Sequence, residues 1–167
     1  MLSDLHIENI AVIEHADISF TQGLNVLTGE TGAGKSIIID ALFAVMGART
    51  SRELVRTGAR KALATAVFDS ARAEAWLREN ALDAGEELIL QRRIGEDGKS
   101  ACRVCGVPVS AAQLRELSGL LLDIHGQNDG QKLMDETRHR KYLDSFGALE
   151  SAVSAYRRAS SAYVETN

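Results

Sequence analysis

The eight residues Gly29-Glu30-Thr31-Gly32-Ala33-Gly34-Lys35-Ser36 constrain this chain most, because they satisfy G-x-x-x-x-G-K-[ST] at every fixed position. Each residue type has a physical reason to be there. Glycine at 29, 32 and 34 permits backbone conformations closed to residues with a Cβ. The N–H groups of such a loop turn inward and form an anion nest. A helix beginning near Lys35 adds the positive end of its dipole. Lys35 then offers a point charge to the β- and γ-phosphates, and Ser36 a hydroxyl to Mg²⁺. The expected nucleotide-binding stretch runs from Gly29 through Ile37. The loop does not distinguish adenine from guanine.

The flanks give the loop the context such a motif needs, an apolar strand before it and a helix after it. Leu5 and Ile7 alternate with polar neighbours, as do Ala16, Ile18 and Phe20, so two strands are expected around a turn. Gly23–Leu27 reads as a third strand entering the loop. Lys35 to Met46 reads as a helix with Ile38, Leu42, Val45 and Met46 on one face and Gly47 as C-cap. Further strands are expected at 63–69, 87–94 and 99–104, the last two joined by the turn Gly95-Glu96-Asp97-Gly98. A short helix is expected over 71–80. Ser110 and Gln113 fit a capping box, placing a helix start at Ala111. Leu120–Ile124 has the character of a buried strand opening onto a polar loop.

Length and composition set limits on this scheme. At 167 residues with 45% hydrophobic and 25% charged residues, the chain is an ordinary globular composition, which excludes wholesale disorder. No apolar run reaches the roughly 18 residues of a membrane span. The start MLSDLHIENI carries early acids and no cationic segment, so no export signal is read and a cytoplasmic setting with reduced cysteines is expected. The net charge of -4 gives no bulk support for nucleic-acid binding but leaves room for a local basic patch.

Hydrolysis requires a carboxylate for Mg²⁺ and a group that orients water. Leu120-Leu121-Leu122-Asp123 has the outline of an acid-ended strand, and Leu117-Ser118-Gly119 resembles a truncated ABC signature. The two run together, with no room for the helix that separates them in ABC-type ATPases, and both are set aside. Cys102-Arg103-Val104-Cys105 is a single C-x-x-C without a second pair and is read as two thiols in a hairpin. His6, His15 and His139 show no ligand spacing and are assigned no role.

Two segments together carry a family resemblance. LSDLHIENIAVIEHADISFTQGLNVLTGETGAGKSIIIDAL resembles the start of an SMC-type ATPase head. LLLDIHGQNDGQKLM is similar to the Q-loop segment of the RecN-type, DNA-repair branch of that family, as are Met46–Arg49 and Val55–Gly58. The resemblance implies an ABC/SMC-type P-loop fold: an α/β N-terminal lobe with a mixed sheet containing antiparallel strands around the P-loop helix. Residues 1–135 would be the N-terminal half of the head, and 136–167 a helix entering a long antiparallel coiled coil. The C-terminal half, with the signature motif and Walker B acids, would lie outside this chain.

By the same resemblance, Gln127 would ligate Mg²⁺ with Ser36 and position the attacking water, making Lys35 and Gln127 the catalytic pair. ATP and Mg²⁺ would be the cofactors. The partners implied are the C-terminal half, a second head in the ATP state, and DNA contacted non-specifically through its backbone, with a nucleoid-associated location and no membrane. Asn128-Asp129-Gly130 departs from the histidines common after that Gln. Arg49, Arg52 and Arg56, with Arg60 and Lys61, form the densest basic cluster. They are either a solvated face or a phosphate contact, Arg49 being the best match for the arginine that follows the P-loop helix in related heads.

The tail positions Tyr142, Phe146, Leu149, Val153, Tyr156, Ser160 and Tyr163 follow a heptad spacing up to the end of the sequence. The root of a coiled coil is favoured over an amphipathic helix packed on the domain. The alternatives to the SMC-type reading are a self-contained small P-loop kinase, with Asp40 or Asp123 as its Mg²⁺ acid and Arg92 and Arg93 in a lid, and a DNA tether in which ATP is structural only.

Overall fold

The computed structural model describes residues 1–29, 34–124 and 136–166. The chain divides into two compact units, Met1–Asp123 and Ile124–Asn167. In the first, six strands form one sheet: β1 (Leu2–Ile10), β2 (Ile13–Ser19), β3 (Lys61–Asp69), β4 (Glu87–Gly95), β5 (Ser100–Val104) and β6 (Val107–Val109). Their order is β2-β1-β3-β4-β5-β6, and every described pairing is antiparallel. The mixed sheet expected from the sequence is therefore antiparallel throughout the described residues.

Three helices belong to this unit: α1 (Lys35–Val45), α2 (Glu74–Glu79) and α3 (Ala111–Leu121). The period of two in the strands decides which face they cover. Leu5, Ile7 and Ile10 of β1, Ala62, Ala64, Ala66 and Phe68 of β3, and Leu88, Leu90 and Ile94 of β4 are all buried. The opposite residues, among them His6, Glu8, Lys61, Thr65, Gln91 and Arg93, form the other, open face.

Helix α1 lies against β3, β1 and β4. Its deepest residues are Ala41, Ala44 and Val45, while Ile37, Ile38, Leu42 and Met46 pack at the margin of the core. Facing these alanines across the contact are three more on β3. Small side chains thus predominate among the fully buried residues where α1 meets β3.

Two local devices fix the remaining chain. Ser110 Oγ accepts a hydrogen bond from Gln113 N, and the Gln113 side chain accepts one from Ser110 N, so the expected capping box is present. Cys105 and Gly106 both have positive φ (46° and 82°) in the two-residue turn joining β5 to β6. A type I′ hairpin demands this backbone, and Cys105 stands where Asn is favoured. Pro108 sits on β6, at the sheet edge, where its lack of an N–H is tolerated.

Two expected strands are not strands. Leu120 and Leu121 belong to α3, because Leu114, Leu117, Ser118 and Leu121 continue one buried helical face. Ser118 Oγ donates to Leu114 O at 2.6 Å inside that face, which leaves Leu117-Ser118-Gly119 no resemblance to an exposed signature motif. Residues 23–27 form no strand either. Leu24 is 89% exposed and Val26 68% exposed, with no ladder partner among the described residues. The Asn25 side chain ties this stretch back onto Thr21.

The second unit holds α4 (Glu136–Phe146) and α5 (Glu150–Thr166). The heptad run is thus two helices rather than one. Gly147 ends the first, its N–H bonded to Leu143 O, and Ala148 follows at φ 49°. Phe146, Tyr156 and Tyr163, on the expected seam, are 95%, 73% and 72% exposed. No described helix is long and apolar enough to cross a membrane.

Gly47 joins α1 to α3. It has φ +83°, and a Cβ there would meet Ala111 O and Arg115 N at 2.8 Å each. Arg115 Nη2 also donates to Gly47 O at 2.8 Å. Gly47→Ala is expected to lower stability by about 2 kcal/mol or more, combining backbone strain with the clash; thermal denaturation monitored by circular dichroism would show it as a drop in Tm.

Candidate functional site

Gly34 caps α1 in the left-handed conformation, φ 93° and ψ -7°. Gly34 itself offers no side chain to cap this terminus, and the first turn of α1 presents the N–H groups that an anion accepts from at a helix start. Lys35 is the first helical residue, and its Nζ donates to Gly29 O, the other end of the loop. The ammonium thus lies against the residue at which the glycine-rich segment begins. Ser36 is exposed on the first turn and Ile37 half-buried beside it. Glu30, Thr31, Gly32 and Ala33 lie outside the described residues.

This set fits a triphosphate with Mg²⁺. A left-handed glycine, a helix N-terminus, the ammonium of Lys35 and the adjacent Ser36 hydroxyl are the groups an anion with a bridging cation needs. Gln127 lies outside the described residues. Asp123 stands two residues beyond α3 rather than at the end of a strand.

The basic residues fall into separate groups. The stretch 48–60 is not a continuous helix but a loop with a single 3-10 turn at Arg52–Leu54, so its arginines do not share a helical face. It is fastened to the end of β1: Ala11 N donates to Leu54 O and Arg56 N to Asn9 O, both at 2.9 Å. Arg56 also reaches Val12 O and Glu14 Oε2, at 3.3 and 3.5 Å. Arg49 and Arg52 are exposed.

Arg60 and Lys61 instead meet Arg93 and Lys99 around a shallow cleft at one end of β3, β4 and the β4–β5 turn. One acid shares it: Asp97 pairs with Lys99 at 3.4 Å, and hydrogen bonding from the Lys99 backbone holds its carboxyl below the usual range. The sequence hides this grouping, since 61 and 93 become neighbours only through the register Lys61↔Gly95 and Leu63↔Arg93.

Arg92, adjacent in sequence, is on the opposite face and only 4% exposed. Its Nη1 donates to Cys102 Sγ at 2.5 Å and its Nη2 to Thr50 Oγ1 at 3.3 Å. Buried in this way, it cannot serve in a mobile lid.

Comparison with known proteins decides the family. The AAA domain family matches residues 4–97. The chain belongs to that family. It is 47% identical to the DNA repair protein RecN of Bacillus subtilis (strain 168) over 171 residues, covering 99% of this chain and 30% of that protein. It is 38% identical to DNA repair protein RecN of Vibrio cholerae over 162 residues, covering 95% of this chain and 29% of that protein. The RecN-type resemblance read from the sequence is borne out, and the chain spans about 30% of the length of these curated relatives.

The fold is that of SMC-type heads. The Smc head domain with coiled coil and joint from Pyrococcus yayanosii superposes with a TM-score of 0.71 at 19% identity, covering 95% of this chain and 34% of that one. A structure of RecF with ATP gives 0.60 at 21% identity, covering 86% and 36%. Nothing in these comparisons favours the small kinase.

Among the described residues a Cβ at Gly34 would meet Ile13 Cδ1 at 3.8 Å and Cγ1 at 4.0 Å, ordinary contacts, so the cost of Gly34→Ala follows from its positive φ. The expected loss is about 1–2 kcal/mol in thermal stability, with a larger proportional fall in affinity for Mg²⁺-ATP, read by isothermal titration calorimetry on the same samples.

Proposed function

We propose that this chain is the nucleotide-binding half of an SMC-like ATPase head working in DNA double-strand break repair, in a nucleoid-associated cytoplasmic protein. The observation that carries this reading is the left-handed Gly34 cap with Lys35 Nζ bonded to Gly29 O, in a chain 47% identical to a DNA repair protein RecN. Residues 29–37 hold the triphosphate, Lys35 contacts its β- and γ-oxygens, and Ser36 with Gln127 holds Mg²⁺. When bound, Mg²⁺ neutralises charge on the phosphates. Gln127 orients the water that attacks the γ-phosphorus.

The split head gains support from residues 23–27. An apolar segment that directly precedes a P-loop yet leaves Leu24 and Val26 in solvent has strand composition without a ladder partner among the described residues. A C-terminal half supplying strands beside it completes the sheet and brings the Walker B acid to Ser36. Two heads then close over ATP, each nucleotide covered by the partner head, and hydrolysis releases them. The likeness to Smc heads and to RecF bound to ATP agrees with this scheme. We place residues 1–135 in the head and 136–167 at the base of its coiled coil, with the Gly147–Leu149 break as a joint between α4 and α5.

DNA meets this half through phosphates rather than bases. Arg60, Lys61, Arg93 and Lys99 form the concentrated positive cleft, with the exposed Arg49 and Arg52 and the tied Arg56 as further candidates. Contacts of this kind carry no sequence information and weaken steeply with salt.

Titration calorimetry with Mg²⁺-ATP tests the first claim: Lys35→Ala is expected to weaken binding at least about tenfold, a loss of ~1.4 kcal/mol. Gln127→Ala should keep binding and stop turnover once the C-terminal half is supplied. Brisk hydrolysis by the chain alone would overturn the split head. For the DNA contact, Lys61→Glu with Arg93→Glu should weaken binding of duplexes of any sequence and lower the salt-dependence slope by about one per lost phosphate contact.

A further inference from the structure

Outside the nucleotide loop, one group of side chains has the make-up of a metal site. It lies on the open face of the β1–β2 hairpin. The register pairs His6 with Asp17 and Glu8 with His15, so two imidazoles and two carboxylates sit on two adjacent cross-strand rungs. One ligand atom each from His6, Glu8 and His15 lies within 4.8 Å of the others. His6 Nε2 is 2.9 Å from Glu8 Oε1, and His15 Nε2 is 2.8 Å from Asp17 Oδ2. The two imidazole rings meet edge-on with centroids 5.0 Å apart. On β3, the residues opposite His6 and Glu8 are the uncharged Thr65 and Leu63.

We propose that His6, Glu8 and His15 bind a divalent transition-metal ion of the zinc class, and that the ion clips edge strand β2 to β1. Two imidazoles with a carboxylate select zinc, cobalt or nickel over magnesium or calcium, which prefer all-oxygen sets. Tetrahedral zinc at about 2.0–2.1 Å from its donors puts them about 3.4 Å apart, within reach of side-chain rotations from the spacing here. Asp17 is a positioning residue. Its Oδ1 lies against His6 Nδ1, the ring nitrogen on the far side from the one facing Glu8. A carboxylate there fixes the tautomer and aims Nε2 at the ion. Water fills the remaining position.

The consequence is mechanical. Among the described residues strand β2 is paired with β1 alone, and after Phe20 N donates to Ser3 O the chain leads to Gly29 outside the ladder. A cross-strand ion holds the strand from which the phosphate loop is hung, at a site whose ligands have no hydrogen bond or ion pair to the described residues of that loop.

Zinc titrated into chelator-treated chain, without nucleotide, tests this. One ion per chain at micromolar or tighter affinity is expected, with a rise in Tm. His6→Gln and His15→Gln should each weaken binding more than tenfold, and Asp17→Asn about tenfold. Cobalt in the same site should show ligand-field bands without a sulfur charge-transfer band, which separates it from Cys102 and Cys105. Circular dichroism and the metal-free Tm establish that each variant is folded. Retention of stoichiometric zinc by the folded His6→Gln/His15→Gln variant, a cobalt–sulfur band, or only millimolar binding by the unaltered chain would each overturn the proposal. ATP affinity, measured alongside, is expected to be the same in both variants, so failure here and failure of the nucleotide reading are separate results.

Discussion

The close seat of α1 on β3 is the constraint from which the rest follows. Ala41 and Ala44 on the helix and Ala62, Ala64 and Ala66 on the strand are all buried, and they leave little side chain between the two backbones. A helix held at that distance has its N-terminus fixed relative to the sheet. Gly34 then turns the chain into the helix with a φ no other residue adopts without strain. Lys35 is delivered to the loop mouth as a result. A larger residue at any of these alanines would push the helix outward and move the loop's N–H groups, so its effect would be felt in anion binding as well as in packing.

Much of this was legible in the sequence because it is local. The glycine pattern, the alternation in β1, β3 and β4, the Gly95–Gly98 turn and the Ser110–Gln113 box each depend on residues within a few positions of one another. The misreadings have a common physical origin. Leu120–Ile124 is apolar enough for either a strand or a helix, and the choice fell to a cap ten residues upstream and to the face set by Leu114 and Leu117. Residues 23–27 have strand composition, but a strand exists only when something pairs with it. The heptad run was sound as a period, and Gly147 with Ala148 broke it by backbone geometry that hydrophobic spacing does not register.

What could not be read at all was register. Lys61 and Arg93 are distant in sequence, as are His6 and Asp17, and only antiparallel pairing brings them side by side. The adjacent arginines show the same rule in reverse: Arg92 is buried against Cys102 and Thr50, while Arg93 is in solvent. One step along a strand exchanges core for surface, so no charge count along the chain could have separated the structural arginine from the one available to a ligand.

Register also gives the open face of the sheet a polarity. Glu8, Asp17 and two imidazoles gather on β1 and β2, whereas Lys61, Arg93 and Lys99 gather around β3, β4 and the β4–β5 turn. A polyanion approaching this face would be drawn toward the second group and repelled from the first, at distances within a Debye length of about 8 Å in physiological salt. A divalent cation on His6, Glu8 and His15 would cancel charge at the repelling end and weaken that orientation. If both proposed sites are filled, metal occupancy would couple to polyanion binding through charge alone, and salt would screen that coupling.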